Sequence, residues 1–148
     1  MVNKMIVSRF GGDLPLDDGA CRKIAGGPLY AVDEVLALLA ESNAQAVRVW
    51  IRKCQSDMQK LSLDIDDVRA LMTIAVRSGR FLGAQWCIQH PNGPWAACDA
   101  YSLIRSEWID SAQKEMAMEY YLKFAIAKTG KLLLVVSCHL KENRGSQR

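Results

Sequence analysis

The chain has 148 residues, of which 50% are hydrophobic and 24% are charged, and its formal net charge is +3. This length suits one domain with an ordinary buried core, and the composition excludes a disordered or fibrous chain. No apolar run approaches the roughly 20 residues of a membrane-spanning helix, and the first residues predict no signal peptide. We therefore expect a cytoplasmic protein that does not contact a membrane.

The cysteines predict neither a disulfide framework nor a zinc site, because their number is odd and no Cys-x-x-Cys pair occurs. They are Cys21, Cys54, Cys87, Cys98 and Cys138. The pattern is typical of reduced, mostly buried thiols. Cys138 precedes His139, but neighbours on a strand point to opposite faces, so no thiolate–imidazolium pair is expected. With only two histidines, we expect no metal and no cofactor.

The N-terminal part predicts an irregular arm followed by helices. Residues 1–28 are rich in glycine and proline without a sustained period, which is typical of an arm or loop. A helix with an apolar face follows, with Asp33 as its expected cap and its end near Ser42. Residues 46–50 fit either a short strand or a helix, and residues 51–61 fit a second helix.

The third helix is the best marked of the three. Asp64 is its expected N-cap, and Asp66 and Asp67 favour the positive N-terminal end of the helix dipole. Gly79 is the expected end. The apolar stripe of this helix consists of Val68, Leu71, Met72, Ala75 and Val76.

The second half of the chain predicts antiparallel strands. Residues 81–88 and 95–101 are joined by a Pro-Asn-Gly cluster, which is typical of a hairpin turn. Residues 102–115 fit a helical turn or two, or a loop laid over the sheet. Helices followed by consecutive strands indicate the α+β class, with N-terminal helices packed on an antiparallel sheet.

The strongest pattern is the strand pair within residues 116–140. Apolar and polar residues alternate up to Ile126, and a mainly apolar strand returns after a turn at residues 128–131. A three-residue loop would place Tyr121 opposite Ser137 and bring the odd-numbered residues of both strands to one face. A two-residue loop would reverse that arrangement, and the sequence leaves both registers open.

The excess positive charge lies entirely in the second half of the chain. Residues 1–79 carry ten basic and ten acidic side chains, whereas residues 80–148 carry nine basic and six acidic ones. Six basic residues follow residue 120, against Glu142 alone. These basic residues could neutralise RNA phosphates while the neighbouring tyrosines stack on bases. The alternative is that lysines at a turn and in a polar tail serve only solubility.

Metal-free RNA cleavage is the reaction that these residue types suit. The 2′-hydroxyl attacks its own phosphate, which requires a base, an acid and cationic stabilisation of the phosphorane. Tyr121 and Lys123 share one face of their strand by its two-residue period. Whether His139 and Lys141 join them depends on the register.

The chain resembles the MqsR family, the RelE-like messenger-RNA interferases of bacterial toxin–antitoxin systems. The C-terminal strand pair carries the similar stretches YYLKF (120–124), LLLVVS (132–137) and LKE (140–142). The helices carry YAVDEV (30–35) with LL (38–39), and LSLD (61–64) with DV (67–68). The resemblance covers residues 29–142 with interruptions, and it implies a RelE-like domain there, between the arm at 1–28 and a polar tail at 143–148.

The resemblance also implies site residues. The catalytic tyrosine of the family falls on Tyr121 and its C-terminal lysine on Lys141. Lys123 and His139 are further catalytic candidates. The expected RNA-binding residues are Arg80, Gln85, Tyr101, Lys128 and Lys131. The family's glutamine position holds Cys98, and its lysine position near the start of the sheet holds Gly83.

The resemblance thus implies a toxin-type endoribonuclease. It would cleave messenger RNA without metal, and a cognate antitoxin protein would neutralise it. The absence of a lysine at Gly83 favours the alternative, a non-catalytic RNA- or protein-binding module on the same fold.

Overall fold

The computed structural model describes residues 4–15 and 22–141. The helices and strands of these residues are, in chain order, β1 (Lys23–Ile24), α1 (Val32–Ala40), a short 3₁₀ helix (Ala44–Ala46), β2 (Val47–Val49), α2 (Arg52–Lys60), α3 (Ile65–Ser78), β3 (Arg80–Ile88), β4 (Trp95–Ile109), β5 (Lys114–Ile126) and β6 (Leu133–Leu140). The strands form one sheet in the order β1-β3-β4-β5-β6-β2. Only the pairing of β2 with β6 is parallel among these strands. The α+β class is confirmed.

One face of the sheet is covered by α1 and α3. The core residues that face these helices include Tyr101 and Phe124, whose rings stack with centroids 5.8 Å apart. Every member of the predicted apolar stripe of α3 is buried. Since apolar burial contributes roughly 25 cal/mol per Å², this layer is the main source of folding free energy. We call this side of the sheet the covered face.

Both predicted ends of α3 are confirmed. The Asp64 side chain accepts a hydrogen bond from the Asp67 amide at 2.8 Å, and the Asp67 carboxylate accepts one from the Asp64 amide at 2.9 Å. This capping box satisfies two amides that a helix start leaves free. At Gly79, an added Cβ would lie 2.6 Å from the Ala75 and Ser102 carbonyl oxygens. Glycine therefore lets the helix end pack against β4.

The predicted cap of α1 is wrong. The N-cap position is Ala31, which makes no side-chain cap, and Asp33 lies in the first turn. Tertiary contacts position the start of the helix instead. The backbone amides of Leu29 and Tyr30 donate to the buried Asp99 carboxylate, and the Tyr30 hydroxyl donates to the Ala97 carbonyl at 2.6 Å.

The described part of the N-terminal arm is hydrogen-bonded to the sheet. Ile6 bridges Trp95, Ser8 bridges Ala127, and β1 pairs with β3. Arg9 forms a bidentate ion pair with Glu34 on α1, at 2.7 and 2.8 Å. These contacts hold the arm against the domain. Residues 1–3 and 16–21 of the predicted arm, Cys21 among them, lie outside the described residues, as do residue 142 and the predicted tail at 143–148.

The prediction for residues 102–115 is wrong. These residues belong to β4 and β5, which continue as a paired ribbon up to Ile109 and Lys114. The ribbon extends past the last paired residues of β3 and β6, so neither side of it is enclosed by a neighbouring strand. Ile104 and Trp108 are 66% and 57% exposed on it.

Among the described residues, no helix is both long and apolar enough to cross a lipid bilayer. The described cysteines are free and buried, as expected: Cys54, Cys87, Cys98 and Cys138.

Candidate active site on the polar face of the sheet

A β-bulge in β6 decides which residues of the last hairpin share a face. Phe124 pairs with Val135, but the next residue of β5, Lys123, pairs with Ser137. Val136 is therefore an extra residue in β6. Beyond it, Tyr121 lies opposite His139. The odd-numbered residues of both strands thus meet on the face that points away from α1 and α3, which we call the polar face.

Tyr121, His139 and Lys123 form a contact group on the polar face. The rings of Tyr121 and His139 stack with centroids 5.1 Å apart and an angle of 25° between their planes. The Lys123 ammonium lies 5.6 Å from the centroid of the Tyr121 ring, within the range of a cation–π contact. Three of the four predicted catalytic residues are therefore in one place.

The hydrogen bond of His139 indicates its tautomer. Nδ1 lies 2.9 Å from the Leu140 carbonyl oxygen. Because a carbonyl only accepts hydrogen bonds, Nδ1 carries the proton and Nε2 has the lone pair in the neutral ring. This arrangement is the one that a general base requires.

Lys141, the fourth candidate, is connected to the site through Glu119. The Glu119 carboxylate accepts a hydrogen bond from the Ser102 hydroxyl at 2.5 Å and pairs with the Lys141 ammonium at 3.6 Å. The bond from Ser102 and the charges of Lys141 and Arg80 hold the pKa of Glu119 below its usual value. Glu119, which precedes Tyr121 by two residues on β5, thus connects Lys141 to the polar face.

A cavity of about 240 Å³ adjoins the contact group. Gln85 of β3, Lys123, Ser137 and His139 line it from the sheet, and Asp57 lines it from α2. The side chains on the polar face of the intervening strand are small, because Cys98 and Ala100 occupy it there. Small residues on β4 therefore leave room between β3 and β5.

Three of the predicted RNA-binding residues lie apart from this site. Tyr101 is only 5% exposed and packs on the covered face between Phe81 and Phe124. Lys128 and Lys131 are exposed at the turn, at the opposite end of the hairpin from His139. Arg80 and Gln85, in contrast, lie on the polar face with Tyr121 and Lys123.

Gly83, the position at which the sequence lacks a lysine, lies beside Tyr121. Both line a second cavity, of about 180 Å³, with Gln85. A Cβ on Gly83 would meet nothing within 4 Å, but its φ of +139° lies where L-residues are strained. The backbone next to Tyr121 thus suits glycine by its conformation, although an added side chain would have space there.

Glu119, Ser102 and Cys87 are site residues that the sequence prediction missed. Glu119 could have been found, because it lies two residues before Tyr121 and so shares its face. Ser102 and Cys87 come from other strands, and only the pairing of β3, β4 and β5 places them near Lys123 and Glu119.

Among residues 4–15 and 22–141, no group of three or more His, Cys, Asp or Glu residues is arranged to hold a metal ion. The polar face offers a proton acceptor, a phenol and several cations. These groups can bind a phosphodiester and move a proton beside it. Comparisons of the chain with models of known protein families, with curated proteins and with solved structures find no match.

Proposed function

We propose that the chain is a toxin-type endoribonuclease with a RelE-like domain, acting on messenger RNA in the cytoplasm and neutralised by a cognate antitoxin protein. The observation that carries the proposal is the contact group of Tyr121, His139 and Lys123 on the polar face. An imidazole with a proton-accepting Nε2 stands there beside a phenol and an ammonium group. This combination suits cleavage of RNA through its own 2′-hydroxyl.

In the proposed reaction, His139 Nε2 takes the proton of the 2′-hydroxyl. The oxygen attacks the adjacent phosphorus, the bond to the 5′-oxygen breaks, and a 2′,3′-cyclic phosphate and a 5′-hydroxyl end result. Lys141 and the Tyr121 hydroxyl stabilise the charge of the phosphorane, and one of them supplies the proton for the leaving oxygen. Lys123 holds the Tyr121 ring through its cation–π contact.

The test is cleavage of a messenger RNA by the purified chain in the presence of EDTA. We expect products with 2′,3′-cyclic phosphate ends. His139→Gln removes the base and is expected to lower the rate by about 10²–10⁴-fold. Uncut RNA, or cleavage at an unchanged rate by His139→Gln, would contradict the proposal.

A matched pair of lysine variants separates the site from general charge. Lys141→Ala and Lys128→Ala each remove one positive charge from the same hairpin, but only Lys141 belongs to the site. We expect Lys141→Ala to lower cleavage at least about tenfold. Lys128→Ala is expected to leave cleavage within about twofold. Equal losses in the two variants would mean that charge alone matters.

The second candidate function is RNA binding without cleavage. Gly83 favours it, because this position beside Tyr121 carries no cationic side chain. Such a protein would retain labelled RNA on a filter and leave it intact. Loss of retention in Lys141→Ala but not in Lys128→Ala would then identify the same face as the binding surface.

A further inference from the structure

Two cysteines and a lysine meet on the polar face between β3 and β5. Cys87 pairs with Ala96 and Cys98 pairs with Gln85, so the two thiols are diagonal neighbours on adjacent strands. Gln85 Nε2 lies 3.9 Å from the Cys87 sulfur, and the Cys98 thiol donates to the Ala96 carbonyl at 3.5 Å. Lys123 lines the same cavity as Cys87. Cys87 lines the cavity of about 240 Å³, whereas Cys98 is fully buried.

The electrostatics of this cluster distinguish Cys87 from the other described thiols. The interaction with the neighbouring Cys98 thiol and the charge of Lys123 outweigh burial and lower the pKa of Cys87 to about 6. Burial raises the pKa of Cys54 to about 12 and that of Cys138 to about 11, and it raises the pKa of Cys98 as well. Among the described thiols, Cys87 is therefore the one at which the surroundings favour the thiolate form.

We propose that Cys87 is a site of covalent modification, at which small peroxides and soft electrophiles enter the cavity and react with a thiolate paired to Lys123. The thiolate is the nucleophilic form of cysteine, and an adjacent ammonium is a recognised way of maintaining it. The inference rests on the thiol cluster and does not depend on RNA cleavage.

The oxidation step is as follows for hydrogen peroxide. The Cys87 sulfur attacks one peroxide oxygen, so that an S–O bond forms and the O–O bond breaks. Sulfur loses two electrons and the other oxygen leaves as hydroxide, which takes a proton to become water. The Cys98 thiol then attacks the sulfenic acid, forms a disulfide and releases a second water.

Modification at this position alters the polar face. Lys123 lines the same cavity as Cys87, and its ammonium lies 5.6 Å from the centroid of the Tyr121 ring. A sulfenic acid or a disulfide removes the negative charge that pairs with its ammonium. The cavity wall that His139 and Lys123 share thus changes its charge with the oxidation state of Cys87.

The first experiment is pulse labelling of the folded chain with limiting iodoacetamide at pH 7. Chymotryptic cleavage after Trp86 and Trp95 places Cys87 and Cys98 in separate peptides for mass spectrometry. We expect Cys87 to be labelled at least about tenfold faster than Cys54 and Cys138. Labelling of Cys87 at the rate of those two thiols would overturn the proposal.

Two lysine variants test the role of the counter-ion. Lys123→Met is expected to slow labelling of Cys87 by about tenfold or more. Lys53→Met removes a charge from the same cavity wall, but Lys53 pairs with Asp57 on α2, and labelling is expected to stay within about twofold. Circular dichroism verifies that each variant is folded. An unchanged rate in folded Lys123→Met would refute the pairing.

The second experiment is treatment with micromolar hydrogen peroxide followed by dimedone, which traps sulfenic acids. A dimedone adduct on Cys87, or a disulfide joining Cys87 to Cys98, supports the proposal. Cys98→Ala is expected to convert the disulfide into the adduct. Oxidation of other cysteines while Cys87 remains reduced would overturn the proposal.

Discussion

Tyr120 and Tyr121 are adjacent in sequence but lie on opposite faces of the sheet. Tyr120 is buried on the covered face, where its hydroxyl donates to the Glu107 carboxylate at 2.7 Å. Burial, together with Glu107, raises its pKa to about 12. Tyr121 lies on the polar face, where its ring stacks on His139. The same residue type therefore serves packing in one place and a candidate site in the other.

The difference follows from the layers on each side. The covered face packs on α1 and α3, so its side chains contribute volume and apolar contact to the core. The polar face keeps ionisable groups in contact with one another: Lys123 with Tyr121, and Lys141 with Glu119. Substitutions on the covered face should therefore lower stability, whereas substitutions on the polar face should lower RNA cleavage.

The largest effect is expected for the core of the covered face. Phe124 is 1% exposed and stacks on Tyr101, so Phe124→Ala leaves a large cavity. We expect the free energy of unfolding in urea to fall by about 3–5 kcal/mol. Ser137→Ala, on the polar face of the neighbouring strand, is expected to change it by less than about 0.5 kcal/mol. Similar losses in both variants would remove the distinction between the faces.

The tyrosine pair gives the next largest effect. Tyr121→Phe removes the hydroxyl proposed to act on the phosphate, and we expect RNA cleavage to fall about 100-fold at unchanged stability. Tyr120→Phe loses its hydrogen bond to Glu107, which lowers the free energy of unfolding by about 1 kcal/mol and leaves cleavage unchanged. The reverse pattern, with cleavage lost in Tyr120→Phe alone, would mean that the site is on the other face.

A smaller effect is expected in the layer that covers the sheet. Asp64→Ala removes the capping box of α3 and is expected to cost about 1 kcal/mol in urea unfolding. Asp33→Ala is the matched control, because Asp33 lies in the first turn of α1 and caps nothing. It is expected to cost less than about 0.5 kcal/mol. Equal costs would show that the capping box contributes no more than the helix dipole.

The sequence was sufficient for features with a local cause. The apolar stripe of α3 and the alternation along β5 each follow from one period, and Asp64 and Gly79 mark their helix by local chemistry. Residues 102–115 lack such a period because no layer covers the ribbon, so neither of its sides must be apolar. Ile104 and Trp108 are exposed there, and the sequence pattern of this segment does not indicate a strand.

Which residues form the site depends on how the strands pair in the sheet, and no local sequence pattern specifies that pairing. His139 joins Tyr121 only because Val136 is an extra residue in β6, and the length of the turn does not determine whether the strand contains such a bulge. Cys87 and Ser102 reach the site through the register of β3, β4 and β5. The start of α1 is likewise set by Asp99, about 70 residues away in the chain.

The smallest effect is expected from two carboxylates, one on each face. Burial raises the pKa of Asp99 on the covered face. The folded state then holds its proton more tightly than the unfolded state, so Asp99 lowers stability as the pH rises above about 4. The pKa of Glu119 on the polar face is lowered, chiefly by the Ser102 hydrogen bond. Its contribution is present at neutral pH and is lost as the pH falls below about 4.

Urea unfolding of the Asp99→Asn and Glu119→Gln variants between pH 3 and pH 7 separates these two slopes. The native chain is expected to lose stability as the pH falls below about 4, and Glu119→Gln is expected to remove part of this loss. We expect that part to be less than about 1 kcal/mol, because the Glu119 carboxylate is partly solvated. Asp99→Asn removes a group that lowers the free energy of unfolding as the pH rises. The stability of this variant relative to the native chain should therefore increase as the pH rises from about 4. If both substitutions changed the pH dependence of the free energy of unfolding in the same direction, the two carboxylates would not lie in different electrostatic environments. The expected opposite changes would show that the two faces differ in electrostatics as they do in the roles of Tyr120 and Tyr121.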